Sequence, residues 1–275
     1  MQQAFDTIAK GYDASFTHSK IGTAQREIVW SYLERALQNY KELNILELNC
    51  GTGEDALWFA QKGHKVLATD LSEKMLEISK EKLNEAGLSS SVRTMRIDIN
   101  KIENAGINEK FDLVFSNFGG MNCISLKEME KLPSEIQKFL KPSSRLIMII
   151  MPEFCLWETV YYIFKLNFQK AFRRISKKGS VAKLNGSELK TFYFSPGRIR
   201  KLFSKNFTIV AVKPIGFFIP PSYLESFFAN KSKFFNSLKK LETLIYKFPV
   251  FSSLSDHFLI DFRLNNHHRG FNEPQ

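Results

Sequence analysis

Apolar and polar positions follow a regular alternation of two periods over the first 151 residues. Short apolar runs at 44–50, 65–70, 92–98, 111–116 and 145–151 read as five strands, each continuous enough to be buried on both faces. Between the first two, Ala56, Leu57, Phe59 and Ala60 suit a helix. Ser72 is a good N-cap for a helix continuing through Met75, Leu76, Ile78 and Leu83. Residues 126–140 make an amphipathic helix that stops near Pro142. Strands alternating with helices at this spacing predict an α/β fold, a parallel sheet with helices on both faces.

After residue 151 the pattern loosens. A helix is expected over 157–175, with Val160, Tyr161, Phe164, Phe168, Phe172 and Ile175 on one face. Lys165, Gln169, Lys170, Arg173 and Arg174 fall on its other faces. Residues 189–194 read as extended, and Ser195-Pro196 opens a short helix through Phe203. Two further strands are expected at 207–213 and 257–264. Between them, 223–248 reads as one amphipathic helix carrying Leu224, Phe227, Phe228, Phe235, Leu238, Leu241 and Ile245. The tail from 265 reads as disordered. The chain thus divides into a core at 1–151, insertions at 152–195 and 214–256, the remainder of the core at 196–213 and 257–264, and the tail.

Charge and aromatic content sharpen that division. Residues 1–150 hold 19 Lys/Arg against 20 Asp/Glu, and 151–275 hold 20 against 8, so nets of −1 and +12 make up the total of +11. Phenylalanine is split 7 to 19. The basic, aromatic second half is expected to face an unusual partner. Its candidates are an apolar acceptor, an anionic membrane touched peripherally, or nucleic acid, set against a purely structural lid whose phenylalanines fill its own core and whose lysines are solvated. The three cysteines, Cys50, Cys123 and Cys155, form no CxxC pair, so neither a zinc site nor a disulfide framework is suggested, and no metal is expected. The longest apolar run, 146–151, is too short to span a bilayer, and no signal peptide is visible. A reducing, cytoplasmic setting fits this cysteine usage.

In an open parallel sheet, ligands sit beyond the carboxyl ends of the strands. Three features meet there. The turn Glu47-Leu-Asn49-Cys-Gly51-Thr-Gly53 lets a backbone approach a ligand and opens a helix whose N-terminus favours a carboxylate. Asp70, ending the second strand, is placed to accept two ribose hydroxyls. Asp98-Ile99, ending the third, offers a carboxylate and an amide to an adenine edge. Gly51-x-Gly53-x-x-Ala56 with Asp70 also fits the dinucleotide fingerprint, so an NAD enzyme stays open on these residues alone. So does a plain tight turn flanked by two exposed acids.

Four motifs together resemble the class I S-adenosylmethionine-dependent methyltransferases of the small-molecule type, over about residues 4–151. They are Phe5-Asp6…Tyr12-Asp13, Ile45-Leu-Glu47-Leu-Asn49-Cys-Gly51-Thr-Gly53-Glu-Asp55-Ala, Val66-Leu-Ala-Thr-Asp70-Leu-Ser72-Glu-Lys-Met75-Leu, and Phe111-Asp112-Leu-Val-Phe-Ser116-Asn117-Phe118. The resemblance implies a Rossmann-like sheet of seven strands, the last antiparallel, under an α-helical lid made by insertions after strand five and between strands six and seven. It implies S-adenosyl-L-methionine as cofactor, with Glu47, Gly51 and Gly53 at the methionine part, Asp70 at the ribose and Asp98 by the adenine amine. Leu71 and Met75 would flank the adenine, Ile99 would give a backbone contact, Tyr12 would cover the methionine end, and Ser116-Asn117 would border the same site. Asn49 stands where the family more often has Gly, and Asn tolerates the left-handed backbone better than most residues.

Methyl transfer needs alignment and a dry pocket more than a fixed catalytic residue. Where the acceptor must lose a proton, the candidates are His257, which should open the last strand at its cofactor end, and Tyr12; His18 follows the Tyr-Asp box and could reach the site. His64 is expected to face solvent, and His267 and His268 to lie inert in the tail. The expected acceptor is a small, largely apolar molecule of natural-product, quinone-like or lipid-like kind, methylated at oxygen or nitrogen. An RNA or protein acceptor, and a protein that binds the cofactor without catalysis, are the alternatives. Nucleic acid is disfavoured because Ser116-Asn117-Phe118-Gly119 replaces an Asn-Pro-Pro-aromatic motif.

Overall fold

The computed structural model describes residues 2–176, 178–184 and 187–265. Five strands alternate with helices in the first half: β1 (Asn44–Leu48), β2 (Lys65–Asp70), β3 (Val92–Arg96), β4 (Phe111–Ser116) and β5 (Leu140–Ile150). The connecting helices are α3 (Glu54–Gln61), α4 (Glu73–Glu85) and α5 (Leu126–Ile136), preceded by α1 (Gln2–Tyr12) and α2 (Lys20–Leu37). Caps set the boundaries. Ser19, Ser72 and Ser125 each accept a hydrogen bond from an amide of the first turn, and Ser125 with Glu128 forms a reciprocal capping box.

The second half adds α6 (Leu156–Phe164), α7 (Phe168–Ala171), a hairpin of β6 (Ser180–Leu184) and β7 (Ser187–Thr191), α8 (Pro196–Phe203) and β8 (Phe207–Ile215). It closes with α9 (Glu225–Phe228), α10 (Ser232–Ile245) and β9 (His257–Leu264). The main sheet has seven strands in the order β3-β2-β1-β4-β5-β9-β8. β1 to β5 pair in parallel, while β9 runs antiparallel to both β5 and β8. The strand order reverses between β1 and β4, and a binding crevice opens at that switch point.

Both faces of the sheet are buried, as the continuous apolar strands require. One core joins Leu46, Val114, Leu146 and Ile260 to α5 and α8; the other joins Ile45, Leu113, Ile147 and Leu259 to α2, α3 and α4. α2 is tied to the sheet by polar contacts too. The buried Asp261 of β9 accepts hydrogen bonds from the Tyr32 hydroxyl and the Arg145 guanidinium, and Arg145 also donates to the Ala36 carbonyl at 2.9 Å. Asp261 titrates above the ordinary carboxylate range because burial outweighs Arg145.

Several details depart from the sequence expectations. The helix expected at 157–175 is broken. It stops at Phe164, turns through Leu166 at φ 53°, and resumes as α7 and a 3-10 turn. Arg173 and Arg174 are not on a free polar face. Both pair with Glu158, which is 1% exposed, and Arg174 is itself buried. The helix expected at 223–248 is likewise divided, into a 3-10 turn, α9 and α10. The insertion after β5 carries the β6–β7 hairpin as well as helices. His64 is buried rather than solvent-facing, its Nδ1 accepting the Leu43 amide at 3.3 Å. The tail from 266, with His267 and His268, lies outside the described residues.

Candidate active site

The turn between β1 and α3 is built from left-handed backbone. Asn49 has φ 57°, Gly51 φ 54° and Gly53 φ 77°. At Gly53 a Cβ would stand 2.1 Å from Ser79 Oγ, so only glycine fits there. Asn49 also packs against Gly120, where a Cβ would come 2.5 Å from the Asn49 Cβ. The turn is pinned to the next strand. Gly51 N–H donates to Asp70 Oδ2 at 2.9 Å, and Ser72 N–H donates to Asp70 Oδ1 at 2.8 Å. Burial nevertheless raises the Asp70 carboxyl above its ordinary range, against the pull of the Ser72, Gly51 and Leu71 amides.

α1 closes over this turn and packs on α4. Its last residue, Tyr12, is followed by a π-helical turn, Asp13–Thr17. Asp13 Oδ1 accepts the Thr52 hydroxyl at 2.6 Å, and Lys82 bridges Asp13 at 3.0 Å and Glu54 at 2.8 Å. Burial would raise Asp13, but Thr52 and Lys82 outweigh it and hold the carboxyl below its ordinary range. Asp6 accepts the Ser72 hydroxyl. The Phe5-Asp6…Tyr12-Asp13 box therefore anchors α1 to the ends of β1 and β2. Burial pushes the Tyr12 phenol up to about 12, with Arg26 opposing.

The resulting cleft is lined by Tyr12, Asn49, Gly51, Asp70, Leu71 and Met75, together with Phe5, Phe118, Gly120 and Cys123. Glu47 lies beneath, 1% exposed, with its carboxyl well above the ordinary range through burial and the nearby Asp55. Its Oε2, Asn49 Nδ2 and Ser116 Oγ are buried atoms without a hydrogen-bond partner. Buried polar atoms are rarely left so, and a cluster of them at strand ends marks a place where a polar ligand completes the bonding. Asn117 turns away from them, its Nδ2 donating to Asp55 Oδ2 at 3.0 Å. Asp98 and Ile99 lie outside this cleft. Asp98 caps a 3-10 turn by accepting from Asn100 N at 3.0 Å, and Ile99 is buried in the sheet's core.

Sequence reasoning missed α2 and what it delivers. Arg26 forms a buried ion pair with Asp55, and Trp30 Nε1 donates to the other Asp55 oxygen at 2.7 Å. Arg26 also lies over the Phe118 ring, 5.3 Å from its centroid. The signal was available in Ile21, Ala24, Val29, Tyr32, Leu33 and Leu37, which are all buried at helical spacing.

From the cleft an aromatic wall leads toward β9. Tyr12 meets Phe16 at 5.7 Å between centroids, Phe16 meets Phe118 at 5.4 Å, and Phe118 meets His257 at 5.2 Å in an edge-on arrangement. His257 opens β9 and is buried, with Nδ1 3.3 Å from Asp256 Oδ2. Asp256 in turn accepts from Arg174 at 2.8 Å and from Gln25 at 3.2 Å. Burial would raise Asp256, but His257 and Arg174 outweigh it and hold the carboxyl well below the ordinary range. His18 is exposed and turned toward Glu54, 3.9 Å away. The three cysteines are buried and free, and among the described residues no cluster of His, Cys, Asp or Glu is arranged to hold a metal. No helix among them is long and apolar enough to cross a membrane.

Comparisons with known proteins bear on the family and the fold. Residues 45–143 match the family model described as "Methyltransferase domain". An uncharacterised protein of Methanocaldococcus jannaschii is 24% identical over 243 residues, covering 82% of this chain and 86% of its own. A demethylmenaquinone methyltransferase of Leptospira interrogans is 30% identical over 175 residues, covering 60% of this chain and 68% of its own. Among solved structures, a complex of DhpI with SAH superposes with a TM-score of 0.60 at 13% identity, covering 97% of this chain and 96% of that one, which is a likeness of fold.

Proposed function

The chain belongs to the class I S-adenosylmethionine-dependent methyltransferases, with S-adenosylmethionine as its cofactor, and we propose that it methylates oxygen or nitrogen of a small, largely apolar acceptor. The observation that carries this reading is the aromatic wall. Tyr12 and Phe118 line the cleft, and the wall continues through Phe118 to His257. An acceptor lying along it would meet ring faces and edges rather than hydrogen-bonding groups. A quinone-like or lipid-like molecule suits that surface. The Leptospira relative, by its name, acts on demethylmenaquinone.

The cofactor supplies an electrophilic methyl carbon on a sulfonium. The chain's own residues align the partners and keep water out. In this reading Asp70 takes the ribose hydroxyls on the lone pairs that Gly51 and Ser72 leave free. Gly51 and Gly53 give the backbone room for the methionine part, and Glu47, Asn49 and Ser116 border it, with Asn117 behind them on Asp55. Leu71 and Met75 flank the adenine, and its outer edge would have to extend beyond the cleft's lining to meet Asp98 and Ile99 after β3. Tyr12 covers the reacting end as a neutral phenol, consistent with its raised pKa. His257 is the proton acceptor. Its Nδ1 lies beside Asp256, which leaves Nε2 to take a proton from an acceptor hydroxyl or amine.

The same reading extends to a peripheral contact with an anionic membrane, on a different basis from the arginines. The break between α6 and α7 projects Phe164 and Leu166, 83% and 80% exposed, with Phe168 beside them. Lys165 and Lys170 sit over Tyr161 and Tyr162, without a carboxylate partner among the described residues. Apolar tips with flanking cations suit an anionic interface.

The test is a methylation assay over an acceptor panel with labelled cofactor. Turnover of hydroxylated quinones and apolar phenols, with no turnover of polar amines, nucleosides or tRNA, is expected. The opposite pattern would reject the apolar reading.

A further inference from the structure

Away from the cleft, α2 and α10 run beside each other in the same sense without closing, and a cavity of about 580 Å³ lies between them. That is within the range of small-molecule sites, roughly 300–1,000 Å³. Its floor is a single stripe of α2, Ala24, Ile28 and Tyr32, with Ile219. At 1.5 Å per residue the stripe from Ala24 to Arg35 is about 16 Å long, a trench rather than a bowl.

The two ends differ. One is bridged by the Lys239–Glu27 ion pair at 2.8 Å. At the other, Arg35 and Lys213 approach the Tyr246 ring, 5.6 and 5.3 Å from its centroid, and Lys247 follows in sequence. Arg35, Lys213 and Lys247 have no carboxylate within 4 Å among the described residues. The nearby Glu242 forms no ion pair with them, because its oxygens are already engaged. Both its oxygens accept amides of the 216–219 loop, from Gly216 at 2.8 Å and Phe217 at 3.1 Å, and from Phe218 at 2.6 Å and Ile219 at 3.1 Å. Three cations lining the same mouth of an apolar trench offer favourable partners to an anion seated there.

We propose that the α2/α10 trench binds a linear amphiphile with an anionic head group. The tail lies on Ala24, Ile28 and Tyr32, and a carboxylate or phosphate sits among Arg35, Lys213 and Lys247. This is a second site, separate from the methyl-transfer cleft, and it does not depend on which acceptor the enzyme methylates.

Calorimetry below the micellar concentration tests it with dodecanoate, dodecyl phosphate, inorganic phosphate and dodecyltrimethylammonium. Dodecanoate and dodecyl phosphate are expected to bind, and the trimethylammonium is not. Thr243→Trp, which fills the trench, and the pair Arg35→Glu with Lys213→Glu should each weaken binding at least tenfold. S-adenosylhomocysteine affinity, unchanged in both variants, shows that they remain folded. Inorganic phosphate binding as well as dodecyl phosphate, with Thr243→Trp without effect, would reduce the site to a plain anion patch and overturn the proposal. So would amphiphile binding that neither variant changes, or no binding at all.

Discussion

The amide of Gly51 donates to a carboxylate oxygen of Asp70 at 2.9 Å, so the turn after β1 and the end of β2 form one unit. Asp70 is thereby oriented before any ligand arrives. Asp70→Ala should weaken S-adenosylhomocysteine binding by tenfold or more, since each hydrogen bond to a charged group contributes about 1.5–3 kcal/mol. It should also loosen the turn. Because burial raises the Asp70 carboxyl, its protonation sets in above the ordinary carboxylate range as pH falls. Wild-type affinity should therefore drop on mild acidification, while Asp70→Asn gives a weaker but pH-independent affinity. Titration calorimetry at several pH values reads both.

How much of this was legible beforehand follows from which physics each element obeys. The sheet could be read because strands buried on both faces carry largely apolar runs, and the inner stretches 45–48, 66–69, 113–115 and 146–150 of β1, β2, β4 and β5 do. The left-handed Asn49 could be read because few residues tolerate that backbone. The Arg26–Asp55 pair could not. It needs α2 laid across α3, a tertiary placement that no local pattern encodes. The inward turn of Arg173 and Arg174 was hidden for a related reason. A single Glu158 in an otherwise apolar helix gives no sign that it is buried, yet once buried it draws both guanidinium groups to it. The hairpin β6–β7 was legible and was missed: the sequence at 185–186 is Asn-Gly, the two-residue hairpin cue, lying between Leu184 and Ser187 at the facing ends of the two strands.

Glu47 should behave as a neutral acid in the folded protein. Its carboxyl is raised well above the ordinary value by burial and by Asp55. A raised acid favours the native state below its unfolded pKa, and that contribution is lost as pH rises through the folded one. Glu47→Gln removes the ionisable group while keeping its shape. Thermal melts from mildly acidic to alkaline pH should show wild type losing stability relative to Glu47→Gln as pH rises. A constant difference between the two across that range would count against a protonated Glu47.

If His257 takes the acceptor's proton, His257→Gln should lower kcat by about 10²–10⁴-fold, the usual size of general-base assistance. The KM for cofactor should stay close to wild type, because His257 meets the Phe118 ring and does not itself line the cleft. Asp256→Asn should act through His257, giving a smaller loss and a shifted limb in the pH–rate profile. A His257→Gln enzyme with unchanged kcat and pH profile would leave the histidine a purely structural role.

The basic segment after β5 separates into two kinds of residue with opposite expectations. Arg174 is buried and divided between Glu158 and Asp256. Arg174→Ala should therefore destabilise the fold by about 3–5 kcal/mol, because it leaves buried carboxylates unpaired. That loss should appear in denaturant melts whether or not lipid is present. Phe164, Leu166 and Phe168 bury little in the free protein, so changing all three to Ser should leave the melt almost untouched. On anionic vesicles the order reverses. The triple Ser variant should no longer float, and Lys165→Gln with Lys170→Gln should weaken flotation and its salt sensitivity, at about 1 kcal/mol per cation near the surface. Neutral vesicles should capture much less protein in every case. If wild type fails to float with anionic lipid at low salt, the projecting tip is not a membrane contact. The same result follows if the triple Ser variant floats as well as wild type.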